Sequence, residues 1–122
     1  MSGIDYVADT NALIYLLSEN RCMKPYLSSR LAVSIITEME LLSFHGITDA
    51  ETKIIKGYLN ECLIYQIDRV VKETAIIIRK KYRCKLPDAI IAATAISHGL
   101  PLLSADRGFS KIEELRVSVL TP

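Results

Sequence analysis

The chain has 122 residues, half of them apolar, and a formal net charge of +1. That length fits one compact domain, and no apolar run reaches the roughly 20 residues a membrane-crossing helix needs. The charge balance argues against a strongly basic nucleic-acid binder on bulk charge, although the placement of cations matters more than their sum.

The opening Met1-Ser2-Gly3-Ile4-Asp5 has no basic start followed by an apolar stretch, so no secretory leader is expected. Cys22, Cys62 and Cys84 are odd in number and lack CxxC spacing, so they read as free thiols in a reducing compartment, the cytoplasm. Segment 4–8 reads as a strand, and 11–19 as a helix with Leu13, Leu16 and Leu17 on one face. A strand over 31–36 leads into a short helix over 37–44 and a longer one over 48–60, which carries Ile54, Ile55, Tyr58 and Leu59. After a strand at 63–67, Val71, Ala75, Ile78 and Tyr82 recur at spacings of four, three and four along a helix over 68–82. The next helix, 87–98, opens on Pro87 and stops at Gly99. Strands over 102–104 and 117–120 close the chain, and most of the strands read as buried on both faces. Strands alternating with helices predict an α/β fold: a mainly parallel five-stranded sheet flanked by helices on both faces.

In open α/β sheets ligands bind beyond the carboxyl ends of the strands, and four acids fall there. Asp9 closes the first strand in Asp9-Thr10-Asn11, where it also suits a helix N-cap. Glu40 lies in Thr37-Glu38-Met39-Glu40, which reads as a capping box with Glu40 reaching back to Thr37; Glu38 is the competing acid. Asp88 stands in the first turn of an alanine-rich helix, where an acid complements the dipole. Asp106 follows Leu102-Leu103-Ser104-Ala105 and doubles as a turn residue before Gly108. Each acid has an ordinary structural role singly. Four converging on one sheet edge would repel one another and raise their own pKa values unless a cation neutralised them. With no His or Cys among them, the expected ion is hard, Mg²⁺ or Mn²⁺, and the natural chemistry is phosphodiester hydrolysis without a protein nucleophile.

These residues, in this order, resemble a PIN-domain ribonuclease, specifically the VapC-type toxins of toxin–antitoxin pairs. The resemblance rests on Asp9-Thr10-Asn11, on Ser34-Ile35-Ile36-Thr37 leading to Glu40-Leu41, on Asp88-Ala89-Ile90-Ile91-Ala92-Ala93-Thr94-Ala95, and on Leu102 through Phe109. It implies one PIN domain over 1–122 and an endoribonuclease that cuts RNA with Mg²⁺ or Mn²⁺. The metal and catalytic acids are then Asp9, Glu40, Asp88 and Asp106, supported by Thr10, Asn11 and Ser104. It also implies a homodimer, a cognate antitoxin whose tail enters the active-site groove, and no membrane partner. One departure is Arg107, standing where other members often carry a polar or acidic residue.

Beside that groove the basic run over 79–85 gains meaning. Alone it reads as a helix end complementing the dipole; next to Asp88, Arg83 and Lys85 become candidates for RNA-backbone contact, and Arg107 joins them. Tyr6, Tyr15, Tyr26 and Tyr82 offer stacking surfaces, but their helical spacing favours core or interface, and His45 and His98 read as structural. Three rivals remain. A phosphate-receiver domain shares the length and winding, but needs an acidic pair where only Asp9 stands. A non-catalytic PIN-like module for RNA or protein contact would be expected to lack one of the four acids. A DNA-directed nuclease would need gripping insertions for which the chain is small.

Overall fold

The computed structural model describes residues 3–122. Five short strands form one sheet: β1 (Tyr6–Ala8), β2 (Leu31–Ser34), β3 (Leu63–Tyr65), β4 (Leu102–Ser104) and β5 (Val117–Val119). Every neighbouring pair is parallel, in the order β3-β2-β1-β4-β5. Five α-helices surround it: α1 (Thr10–Leu17), α2 (Ile35–Ser43), α3 (Asp49–Leu59), α4 (Arg69–Tyr82) and α5 (Leu86–Ser97). Two 3-10 turns, Arg21–Tyr26 and Arg107–Lys111, were not foreseen from the pattern, being too short to show a period.

Successive strand residues point to opposite faces, and the sheet builds a core on each. Val7 of β1 and Leu102 of β4 join Val71, Ala75 and Ile78 of α4 and the buried residues of α5. Their neighbours Ala8 and Leu103 point the other way, to Leu13 of α1, Met23, Leu41 of α2 and Leu59 of α3. The helices therefore cover both faces, as the alternation of elements predicts. Truncating a wholly buried leucine such as Leu103 to alanine would cost about 2–5 kcal/mol. Helix α5 is buried continuously from Ala89 to Ala95 because it lies between sheet and α4, which explains its apolar character on every side. It ends where Gly99 takes φ +64 and the Leu100 amide donates to the Ala95 carbonyl, closing the last turn.

Most strands are buried on both faces, as expected: β1, β2 and β4 are, while β3 and β5 are the sheet edges and leave Leu63 and Val119 exposed. Two expectations need correction. Strand β2 stops at Ser34 instead of running to 36, because the Ser34 hydroxyl accepts from the Ile36 amide and starts α2 at once. Thr37 is thus a buried residue inside the helix, and no capping box joins it to Glu40. A capping box does form at α3, between Thr48 and Glu51. The three cysteines are free thiols. Among the described residues no helix is long and apolar enough to cross a membrane.

Candidate active site

The strand order reverses direction between β1 and β4: from β1 the chain goes to β2 on one side, while β4 pairs on the other. Loops leaving two such strands diverge to opposite faces and open a crevice at their carboxyl ends. Asp9 leaves β1 and Ser104 ends β4, so both stand at this crevice.

Asp9 is buried, and each of its carboxylate oxygens has a donor. Oδ1 accepts from the Ala12 amide at 2.8 Å, capping α1, and Oδ2 accepts from the Ser104 hydroxyl at 2.5 Å. The helix-cap role and the crevice role therefore coexist in one side chain. Ser104 Oγ also accepts from the Asp106 amide at 2.9 Å, so a single hydroxyl aligns Asp9 and the turn that carries the next acid. Asp106 Oδ1 accepts from the Gly108 amide at 2.8 Å and so caps the 3-10 turn Arg107–Lys111.

Thr10 reaches across to α2, where its hydroxyl donates to Glu40 Oε1 at 2.6 Å and lies 3.3 Å from the Thr37 hydroxyl. What holds Glu40 is this tertiary contact from α1, not a local box. Among the described residues Glu38 makes no such contact. Asn11 is exposed and, among the described residues, makes no hydrogen bond into the site.

The acids sense one another. Burial pushes the Asp9 carboxyl above the ordinary carboxylate range; the Ser104 and Ala12 hydrogen bonds oppose the shift, and repulsion from Asp106 and Asp88 adds to it. Half-buried Asp88 is raised chiefly by burial, then by repulsion from Asp106 and Glu40, with Lys85 opposing. The four sequence-predicted acids are therefore electrostatic neighbours although they come from four parts of the chain.

A cleft of about 270 Å³ opens beside Asp88 and Asp106, and Arg83, Lys85 and Lys111 line its walls. Arg107 does not line it. Lys111 escaped sequence reading because the 3-10 turn that carries it to the cleft has no periodic signal. On the other flank, Glu40 and Thr10 border an apolar groove of about 530 Å³ formed by Ile14, Leu17, Leu41, Phe44 and Ile54. Three of the tyrosines are engaged elsewhere: Tyr6 packs edge-on against Tyr26 at 5.4 Å and Tyr15 supports the α1-side core, whereas Tyr82 lines the cleft and donates to Glu114. His98 stacks on Tyr65 at 3.6 Å, a structural contact.

The donor set is all oxygen, the type that selects Mg²⁺ or Mn²⁺ over softer metals. Burial is the larger cause of the raised Asp9 and Asp88 carboxyls, and a cation would relieve the repulsion that adds to it. Among the described residues, no three acid, His or Cys side chains are already gathered to hold an ion. Hydrogen bonds from within the fold engage Asp9, Glu40 and Asp106, so the residues fit the ion by chemistry and side-chain rotation must complete the shell.

The sequence model of the PIN domain matches residues 6–115. The chain belongs to the PIN-domain family. A toxin–antitoxin complex from Klebsiella pneumoniae contains a chain 32% identical to this PIN domain, with a TM-score of 0.81 over 94% of this chain and 97% of that one. DNA-bound VapBC from Salmonella typhimurium is similar at 21% identity and TM-score 0.82, covering 95% and 98%. VapBC2 from Rickettsia felis, bound to a DNA fragment from its promoter, reaches TM-score 0.82 at 18% identity over 95% and 98%. At such identities the last two establish the fold alone. No curated protein matches significantly. The PIN-domain resemblance read from the sequence is borne out.

Proposed function

We propose that this PIN domain is a metal-dependent endoribonuclease that serves as the toxin of a toxin–antitoxin pair. The observation that carries the proposal is the placing of four acids about the β1/β4 switch point, where buried Asp9 is bonded to Ser104 of β4 and where burial, with repulsion from Asp106, raises both Asp9 and Asp88 above the ordinary carboxylate range. A buried carboxylate crowded by other acids destabilises a fold, and its presence is best explained by a cation that the group binds in use.

Asp9, Asp88 and Asp106 would hold Mg²⁺ or Mn²⁺, with Glu40 completing the set. Bound there, a hard divalent ion supplies an acidified water and stabilises charge developing on a phosphate. The protein's own residues position. Ser104 and the Ala12 amide fix the two oxygens of Asp9. Thr10 aims Glu40 toward the crevice. Cations on the cleft walls attract the polyanion, and phosphate contacts set its register.

For the partner we propose an antitoxin segment seated in the apolar groove beside Glu40. Ile14, Phe44 and Ile54 are all exposed there. A segment lying along them would end against Thr10 and Glu40 and obstruct the crevice. A homodimer, tested by sedimentation, is proposed with it. The rival reading, a PIN scaffold that binds RNA without cutting it, draws on the absence of a preassembled trio of ligands among the described residues.

One experiment decides between them. The purified chain is expected to cut RNA only with Mg²⁺ or Mn²⁺, and Asp9→Ala or Asp88→Ala to abolish cutting with circular dichroism unchanged. Cleavage retained in both variants sinks the proposal; binding without cleavage in the parent chain favours the scaffold.

A further inference from the structure

Helix α4 ends at Arg83, whose backbone is left-handed at φ 55 and ψ 32. Glycine or asparagine ordinarily fills that position, because a Cβ there crowds the backbone. Strain alone decides nothing, since Glu19 has φ 58 after α1 without any comparable setting. What distinguishes Arg83 is its place. It lines the cleft that holds Asp88 and Asp106, and it also lines a second depression over the α4–α5 elbow, walled by Ile76, Arg79, Lys80 and Leu86. Only Cys84 shares that double position.

Most cations along this path make no contact ion pair among the described residues, although Lys85 lies near enough to Asp88 to oppose the rise of its carboxyl. Among the described residues the ion pairs are Arg69–Glu73 and Lys81–Glu114, which leaves Arg79, Lys80, Arg83, Lys85 and Lys111 without one. A helix end needs some positive charge to complement its dipole, and Arg79, Lys80 and Lys81 supply it in the last turn of α4. Arg83, beyond the helix, Lys85 before α5, and Lys111 on the 3-10 turn are surplus to that need.

We propose that Arg83, Lys85 and Lys111 form a phosphate clamp. It holds single-stranded RNA as the strand leaves the carboxylate cleft and crosses the α4–α5 elbow, with Arg83 at the junction. This rests on the ribonuclease reading and deepens it by naming the strand's exit path. The left-handed backbone is the device that delivers the guanidinium there. It implies that stability and substrate grip pull in opposite directions at this residue.

The test uses the full chain carrying Asp9→Asn, so that RNA is bound and not cut, and a fluorescein-labelled random-sequence RNA of about 12 nucleotides. Anisotropy titrations over a salt series give affinity and its salt slope. Arg83→Gly is expected to raise the melting temperature by about 2–5 °C, weaken binding about three- to tenfold, and reduce the salt slope by about 0.7. Lys111→Gln should weaken binding similarly with no thermal change. Arg83→Lys should restore most of the affinity without the thermal gain, and Lys72→Gln, on the first turn of α4, should change neither. The same substitutions in the cleaving protein should raise KM more than they lower kcat. Arg83→Gly and Lys111→Gln that leave affinity and slope intact, while the parent chain binds and cuts RNA, overturn the clamp alone. A parent chain that neither binds nor cuts RNA overturns both the clamp and the ribonuclease reading.

Discussion

The two flanks of the acidic crevice are built from opposite materials. On one side, Asp88 and Asp106 face a polar cleft with Arg83, Lys85 and Lys111 on its walls. On the other, Glu40 and Thr10 border a groove of isoleucine, leucine and phenylalanine side chains. A polyanion gains from the first by charge, and a folded or folding peptide gains from the second by burying apolar surface. The crevice between them belongs to both. That division fits the proposed pairing, in which a strand of RNA and an inhibitory protein segment would approach the same carboxylates from different directions.

The largest expected effect tests what the flanks share. Asp9→Ala should lower cleavage by at least about 10³-fold in a gel assay with labelled RNA, because it removes a central ligand and opens the β1/β4 crevice. Ser104→Ala should be milder, about 10–100-fold, and has a second signature. The Ser104 hydroxyl favours the ionised Asp9 carboxylate, so its loss should move the acid limb of the rate–pH profile to higher pH. An unshifted limb would mean that Ser104 does not tune Asp9.

The flanks themselves separate in the next pair. Ile54→Asp, at an exposed groove position, should weaken capture of a co-expressed antitoxin from the adjacent reading frame by about thirtyfold. RNA cleavage should stay unchanged. If cleavage falls equally, the groove is not a separate protein surface.

The smallest effects are thermodynamic. Manganese at about 100 times its dissociation constant should stabilise the fold by about 2.7 kcal/mol in a thermal scan, and Asp9→Asn should remove that gain. Without metal, the sign runs the other way. Asp9 has a folded pKa raised mainly by burial, so its contribution to stability is fully present below the unfolded value and is lost as pH rises through the folded one. The metal-free protein should therefore gain in melting temperature as pH falls through the folded Asp9 value toward the unfolded one. Asp9→Asn, which keeps an oxygen for the α1 cap, should flatten part of that dependence and raise the neutral-pH melting temperature by roughly 4 °C.

Much was legible from the chain alone. Apolar runs separated by amphipathic helices specify a parallel α/β sheet, because only helical crossovers join parallel strands and cover both faces. The acids Asp9, Glu40, Asp88 and Asp106 were visible because residues that begin helices after parallel strands already lie at the carboxyl edge. The start of α2 is hidden in the sequence because Ile35 and Ile36 extend the apolar run of β2. Ser34, a good N-cap, decided the boundary locally. Asn11 adjoins Asp9 and Thr10 in the sequence, yet its position on α1 turns it to solvent.

What tertiary structure alone decided is how the acids are held. Thr10 and Glu40 are 30 residues apart, and Ser104 and Asp9 are 95 apart. No local pattern encodes such pairings, because they exist only when β1 and β4 lie side by side and α1 meets α2. The same holds for Lys111, carried to the cleft by a turn without periodicity, and for Arg83, whose left-handed backbone follows from how α4 must turn into α5. Sequence determines which chemistry is available at a sheet edge, because hydrophobic periodicity fixes the elements and their ends. Packing of distant elements determines which groups touch, and with it the charge state and reach of each.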